Sequence, residues 1–270
     1  MTQEPDSSVQ MPRENAQLVV VGTGYRAVGD LTIEAKASLE QADKVLCLIG
    51  DPLVTQHIQH LNPTVETLDG HYAPGKPRQV SYEEMVQHIL AEVRRDQFVC
   101  VALYGHPGVF AYAGHEAIRR AQLDGIPARM VPASSAEDWL FADLGIDPAT
   151  HGCQSFEATD FLLHHRVFDP TSLLILWQVG VIGMFDRVPD FDARPGAAVL
   201  AELLTMHYPD DHPVTAYEAS PYVAAPPRVT TVPLAKLPDT PMSAATTLVV
   251  PPLPERPMDR DVLARLTGRA

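Results

Sequence analysis

The chain has 270 residues, room for one large domain or two modest ones of about 150 residues or less, and its 46% apolar and 20% charged content excludes wholesale disorder and fibrous repeats. Acidic residues number 34 against 20 basic ones, a formal net charge of −14, so long-range repulsion argues against nucleic acid and anionic lipid as partners. The 25 prolines and 16 glycines make 41 of 270 residues, below the roughly 25 to 30% of low-complexity chains, and imply stiff loops rather than disorder.

In chain order, the polar segment 1–16 reads as a disordered leader, with no apolar core of a signal peptide. Short apolar runs then alternate with amphipathic ones. Leu18–Val21, Lys44–Ile49, Thr64–Leu68, Phe98–Tyr104 and Ala128–Val131 are predicted strands, several apolar throughout, as strands covered on both faces are. Between them, helices are predicted from Asp30 to about Gln41, from the cap and first-turn proline Asp51-Pro52 to Asn62-Pro63, from Ser81, over Gly114–Leu123 and over Ala136–Leu144. Ser81 and Glu84 have capping-box spacing ahead of an apolar face of Met85, Val86, Ile89, Leu90 and Val93. This alternation implies an α/β fold with a mostly parallel sheet. The pattern loses its period over Asp147–Thr171, the expected inter-domain crossing. Strands at Leu173–Val179, Val214–Glu218 and Thr247–Val250 and a helix at Pro195–His207 describe a smaller second α/β unit. The expected division is therefore 17–153, 154–256 and a short terminal helix within 257–270, with no internal repeat.

The first strand runs into Gly22-Thr23-Gly24-Tyr25-Arg26-Ala27, the loose form of the dinucleotide fingerprint. A nicotinamide oxidoreductase would need a helix opening at those glycines, yet the best cap, Asp30, falls six residues after Gly24. Two further loops, Tyr104–Phe110 and Pro132–Asp138, leave carboxyl ends of strands, where open α/β sheets bind ligands.

Tyr104-Gly105-His106-Pro107-Gly108-Val109-Phe110, the run from Ser135 to Pro148, and Leu176-Trp177-Gln178-Val179-Gly180 together resemble borosin α-N-methyltransferases. The likeness extends from about Leu18 to Pro252. It implies the two-domain tetrapyrrole methylase fold, S-adenosylmethionine (SAM) in the cleft between the domains, and methylation of backbone amides of a ribosomally made peptide. It further implies that Tyr104, His106, Val109, Phe110, Ser135 and Ala136 border SAM, with Gln178, Tyr217, Glu218, Ala219 and Thr246 from the second domain. The family usually has glycine where this chain has Ala133, a residue strained at positive φ. Asp69 to Tyr82 resembles the catalytic loop, with Tyr72, Arg78 and Tyr82 on its characteristic positions and Asp69 where fungal fused enzymes carry another tyrosine.

The chemistry fits those residue types. An amide nitrogen is a poor nucleophile, and removing its proton places negative charge on the carbonyl oxygen. Arg78 stays protonated and suits that oxygen, Tyr82 is the base candidate, and Tyr72 and Tyr104 can orient the amide. A cation within about 4 to 6 Å typically lowers an acid by about 1 to 3 units. His57, His60, His164 and His165 lack a ligand set around them, so no metal is expected.

About eighteen residues follow Pro252, so the precursor peptide is expected in trans, with a homodimer, or a heterotetramer holding two peptides, implied by the resemblance. Three cysteines without a CxxC pair and no apolar run near the roughly 18 residues of a membrane span suit a reduced cytoplasmic protein without a membrane partner. A tetrapyrrole C-methyltransferase and a catalytically silent peptide-binding protein are the alternatives. The first would need a basic cleft for its carboxylates, and the second would have no need of intact Tyr72, Arg78 and Tyr82.

Overall fold

A computed structural model describes residues 15–95, 97–186 and 191–268, so residues 1–14 of the expected leader lie outside the described residues. The chain forms two compact units, each α/β with its own five-stranded sheet. The first runs to Trp139 and takes in Phe185, Asp186 and Ser220–Pro226; the second holds most of the remainder. The boundary expected from the sequence, 153/154, lies within the second unit.

In the first unit, β1 (Gln17–Gly22), β2 (Lys44–Leu48), β3 (Val65–Thr67), β4 (Phe98–Leu103) and β5 (Ala128–Val131) form an all-parallel sheet in the order β3-β2-β4-β1-β5. The strand period of two explains why β1 and β4 are apolar throughout. Leu18, Val20, Val99 and Val101 face a core shared with Met85, Ile89 and Ala117, whereas Val19, Val21 and Cys100 face a second core with Leu39, Val54 and Ile58. Those partners come from α3 (Arg78–Val93) and α4 (Tyr112–Leu123) on one face and α1 (Ile33–Gln41) and α2 (Pro52–Leu61) on the other.

Two helix starts differ from the sequence reading. The hydroxyl of Thr32, not Asp30, caps α1 by accepting the Ala35 amide at 3.1 Å. The capping box at Ser81 does not form, because α3 already begins at Arg78 behind Pro77. Ser81 is buried within the helix, while Glu83 pairs with Arg120 at 2.5 Å and Glu84 with Lys76. Asp51 caps α2 as its spacing implied, accepting the amides of Leu53 at 2.8 Å and Val54 at 3.3 Å.

After α5 (Ala136–Leu144), the expected crossing is structured: β6 (Cys153–Glu157) and α6 (Ala158–Leu163) occupy much of it. The second sheet has the order β6-β7-β10-β8-β9, with β7 (Leu173–Trp177), β8 (Pro213–Glu218), β9 (Arg228–Pro233) and β10 (Thr247–Val250). β6 lies parallel to β7; the other pairings are antiparallel. β6 and β9 are edge strands, half-exposed or exposed and without an apolar run to reveal them. α7 (Arg194–Thr205) buries Ala197, Leu200 and Leu204 in this unit's core, and α8 (Arg260–Thr267) ends the description. Among the described residues no helix is long and apolar enough to cross a membrane.

Candidate active site

Three loops converge at the carboxyl edge of the first sheet. Gly22 has no room for a side chain: a Cβ there would stand 2.4 Å from the Gly105 carbonyl oxygen and 2.6 Å from both Ala133 Cβ and Pro107 Cδ. The Gly24 and Gly105 amides exchange backbone hydrogen bonds at 3.2 and 2.9 Å, and both residues have positive φ, 75° and 64°. Ala133 does not, so the alanine at that position carries no left-handed strain.

Beyond Gly24 the loop is filled by a carboxylate of the chain itself. Oδ2 of Asp30 accepts the amides of Tyr25 (3.2 Å) and Arg26 (2.9 Å), the Ser134 hydroxyl (2.5 Å) and the Trp139 indole N–H (2.7 Å). Burial pushes the Asp30 carboxyl up, but those hydrogen bonds prevail and hold it below the usual carboxylate range. The Arg26 guanidinium stacks over Trp139, 3.6 Å from the ring centroid. Amides that would greet a pyrophosphate in a dinucleotide fold are thus engaged by Asp30. The sequence reading missed this role because Ser134 and Trp139 lie more than a hundred residues from Asp30.

The loop after β4 carries Tyr104, His106, Val109 and Phe110. The Gly108 amide donates to Nδ1 of His106 at 3.0 Å, so this histidine folds its own loop. Tyr104, Val109 and Phe110 are exposed, and Phe110 holds left-handed backbone (φ 51°), a conformation costing on the order of 1 kcal/mol or more. In the next loop the Ser135 amide and hydroxyl both donate to Asp138, at 2.6 and 2.8 Å, so the side chain of Ser135 serves the start of α5, and Ala136 is that helix's first residue.

The segment 69–82 brings Tyr72, Arg78 and Tyr82 together. Asp69 accepts the Thr67 hydroxyl at 2.6 Å, and its carbonyl takes the Tyr72 amide at 3.0 Å, closing a short 3-10 turn that aims Tyr72 back at α3. The Tyr72 and Tyr82 rings meet edge to face with centroids 6.4 Å apart, and Tyr82 also packs on Tyr112 at 6.1 Å. Burial first, then the neighbouring phenols of Tyr82 and Tyr104, pushes Tyr72 up to about 12; the hydrogen bond with Tyr82 acts in the same direction and Arg78 opposes it. Tyr104 is also pushed up, by burial and then Tyr82, with Arg78 opposing; at 62% exposure, solvent screens much of that push.

Arg78 itself is half-buried and, among the described residues, has no ion pair or hydrogen bond. It is the first residue of α3, where the helix dipole disfavours a cation by about 0.3 to 1 kcal/mol, and the first turn carries no acid to offset this.

In the second unit, Glu218 at the end of β8 gathers donors. Its Oε1 accepts the Ser243 hydroxyl (2.8 Å) and amide (3.3 Å) together with the Thr246 hydroxyl and the Arg228 guanidinium. Burial raises its carboxyl, and the bonds from Thr246, Ser243 and Arg228 outweigh that and lower it. The Val179 amide donates to the Thr246 carbonyl at 3.1 Å, which brings Gln178 beside this cluster in left-handed backbone (φ 61°). Tyr217, one residue before Glu218, points to the other face of the strand, is buried, and donates to Asp143 at 2.7 Å. Ala219 follows directly after the strand. Thus Gln178, Glu218 and Thr246 come together, while the Tyr217 hydroxyl is already engaged; Ser243 and Arg228 belong to the cluster and carried no sequence signal. Among the described residues no three His, Cys, Asp or Glu side chains gather as a metal site.

The chain resembles several known proteins. The chain is 35% identical over 258 residues to a methyltransferase/ribosomally synthesized cyclic peptide gymnopeptides precursor of Gymnopus fusipes, covering 94% of this chain and 61% of that protein. It is 42% identical over 205 residues to a methyltransferase/ribosomally synthesized type III borosin cyclic peptide precursor of Anomoporia bombycina, covering 76% of this chain and 24% of the relative. The chain therefore spans only part of these relatives' length. Uroporphyrin-III-C-methyltransferase from Thermus thermophilus has the same fold, with a TM-score of 0.62 at 20% identity over 87% of this chain and 92% of that one. The family model for tetrapyrrole (corrin/porphyrin) methylases matches residues 17–223, and the chain belongs to that family of methyltransferases.

Proposed function

We propose that the protein is a SAM-dependent methyltransferase that methylates backbone amide nitrogens of a ribosomally made precursor peptide presented as a separate molecule. The observation that carries this reading is Arg78, a half-buried cation without a partner among the described residues, set beside three phenols in a chain of net charge −14. A guanidinium left uncompensated at a helix start lowers stability and suits an oxygen that turns negative during a reaction.

In this reading the peptide carbonyl oxygen lies at Arg78. Tyr72, protonated at neutral pH, and Tyr104 orient the amide, and Tyr82, having first given its own proton to solvent, takes the amide proton as a phenolate. Bound SAM would supply an electrophilic methyl group on its sulfonium. The exposed apolar side chains of Val109 and Phe110 suit a flat adenine ring, and open space at Gly105 with left-handed backbone at Phe110 suits close approach of a ligand to the loop. Tyr104, His106, Ser135 and Ala136 are proposed to border the cofactor with them. Gln178, Tyr217, Glu218, Ala219 and Thr246 of the second unit are proposed as its further contacts, Tyr217 and Ser135 through backbone atoms, since their hydroxyls are engaged.

The proposed assembly is a homodimer, or a heterotetramer with two peptides, which light scattering with and without peptide distinguishes. The proposed location is the cytoplasm, in keeping with the unpaired cysteines Cys47, Cys100 and Cys153. The test is co-expression with a neighbouring small open reading frame, followed by mass spectrometry of both the peptide and the enzyme chain. Mass increments of one methylene on the peptide support the reading. Increments on the enzyme chain alone refute a separate substrate; SAM binding without any increment, or binding of a uroporphyrinogen-type ligand, refutes peptide methylation.

A further inference from the structure

A cavity of about 270 Å³ opens at the carboxyl edge of the first sheet, walled by the loops after β1 and β2, the start of α2 and Tyr104. It falls just below the roughly 300 Å³ at which pockets begin to take whole ligands, so its size suits one side chain and excludes a macrocycle. Its body is apolar: Ile49, Val54 and Ala27 line it, and Gly50, at φ 71°, has no atom within 4 Å of where a Cβ would stand. Among the described residues lining it, Asp51 alone is charged.

Asp51 is held in place from two sides. One oxygen caps α2 through the Leu53 and Val54 amides, and the other accepts the Tyr222 hydroxyl at 2.5 Å. The Tyr222 bond first, then the capping amides, holds its carboxyl below the usual range despite burial, so it is anionic at neutral pH. The Ala27 amide donates to the Pro221 carbonyl at 2.8 Å, fixing the wall that carries Tyr222. A fixed carboxylate with no ion pair among the described residues repels acidic groups and leaves apolar ones indifferent.

We propose that this cavity is a specificity subsite, resting on the peptide reading above: it seats the apolar side chain of the residue adjoining the amide held at Tyr104, and Asp51 rejects acidic residues there. Tyr104 forms both a wall of the cavity and a member of the phenol cluster, so a peptide anchored by one is presented to the other.

The test uses acetyl-Ala-Xaa-Ala-amide peptides with Xaa alanine, leucine or glutamate, titrated into the whole protein while the methyl resonances of Ile49 and Val54 are followed by NMR, alongside competition for methylation of longer peptides differing at that residue. The leucine peptide is expected to move both resonances and to bind about tenfold tighter than the glutamate peptide. Asp51→Asn keeps a capping oxygen and turns an NH2 donor toward the Tyr222 hydroxyl, whose oxygen can accept it, and should shrink the leucine-to-glutamate ratio several-fold. Ala27→Leu, which fills the cavity, should bring leucine down to the level of alanine. Equal binding of all three peptides, or ratios that neither substitution moves, overturns the subsite even if methylation proceeds. Conversely, seating of leucine at Ile49 and Val54 without methylation of any peptide leaves the subsite standing and removes the proposed reaction.

Discussion

The two polar clusters treat charge in opposite ways. In the second unit Glu218 receives donors from Arg228, Ser243 and Thr246, and these outweigh the cost of its burial. In the first unit Arg78 begins a 16-residue helix with no ion pair or hydrogen bond among the described residues, and the nearby phenols of Tyr72 and Tyr104 are pushed toward their neutral forms. A satisfied cluster stabilises the fold. An unsatisfied one costs stability and persists where something outside the chain completes it. The difference is what the proposed reading uses: Glu218 and its donors hold, and the tyrosine–arginine cluster reacts.

The sharpest way to break this contrast is to remove the reactive groups. Tyr82→Phe deletes the proposed base and is expected to lower peptide methylation by about 10²- to 10⁴-fold, measured as single-turnover rates by mass spectrometry. Arg78→Ala removes the charge facing the oxygen, with a loss of about 10²- to 10³-fold, while the stability measured in urea rises by about 0.3 to 1 kcal/mol because a cation leaves the helix start. Both should bind SAM with unchanged affinity in calorimetry. If Arg78→Ala proved destabilising, the guanidinium would be a structural tie and the contrast would fail.

Glu218→Gln probes the other side. Removing the charge while its donors remain is expected to cost about 1 to 3 kcal/mol of stability near pH 7. The folded-state carboxyl is lowered, so this contribution is present above the ordinary carboxylate value of about 4.3 and is lost as pH falls through the folded-state value. Urea midpoints followed from neutral pH to below 4 should therefore converge for wild type and Glu218→Gln. Parallel curves would show that Glu218 is not held ionised by its donors.

How much of this was legible beforehand depended on what each residue had to satisfy. The strands of the first sheet read clearly because both faces are buried and their runs are apolar throughout, as in Leu18–Val21. The edge strands β6 and β9 did not, since CQSFE and RVTTVP need to bury little. The Asp51 cap is a local matter of three residues and was visible. The role of Asp30 depends on Ser134 and Trp139, and that of Glu218 on Ser243 and Arg228, partners that only tertiary structure supplies. Tyr72, Arg78 and Tyr82 are named through family resemblance, not through spacing; the structure adds that they meet and that Arg78 has no ion pair among the described residues.

The misread capping box leads to the smallest and most discriminating prediction. Ser81 looked like a cap because Glu84 follows three residues later, but α3 starts earlier, and the hydroxyl is buried with no hydrogen-bond partner among the described residues. A buried unpaired hydroxyl costs about 1 to 3 kcal/mol, and alanine is the better helix former, so Ser81→Ala is expected to raise stability by about 1 kcal/mol, whereas loss of a true cap would lower it by a similar amount. The sign of the shift in urea midpoint decides. Ser81 also directly precedes Tyr82, so the methylation rate of the same variant shows whether this hydroxyl is retained for chemistry: a stabilised enzyme with an undiminished rate leaves Arg78 as the group kept unpaired for the reaction.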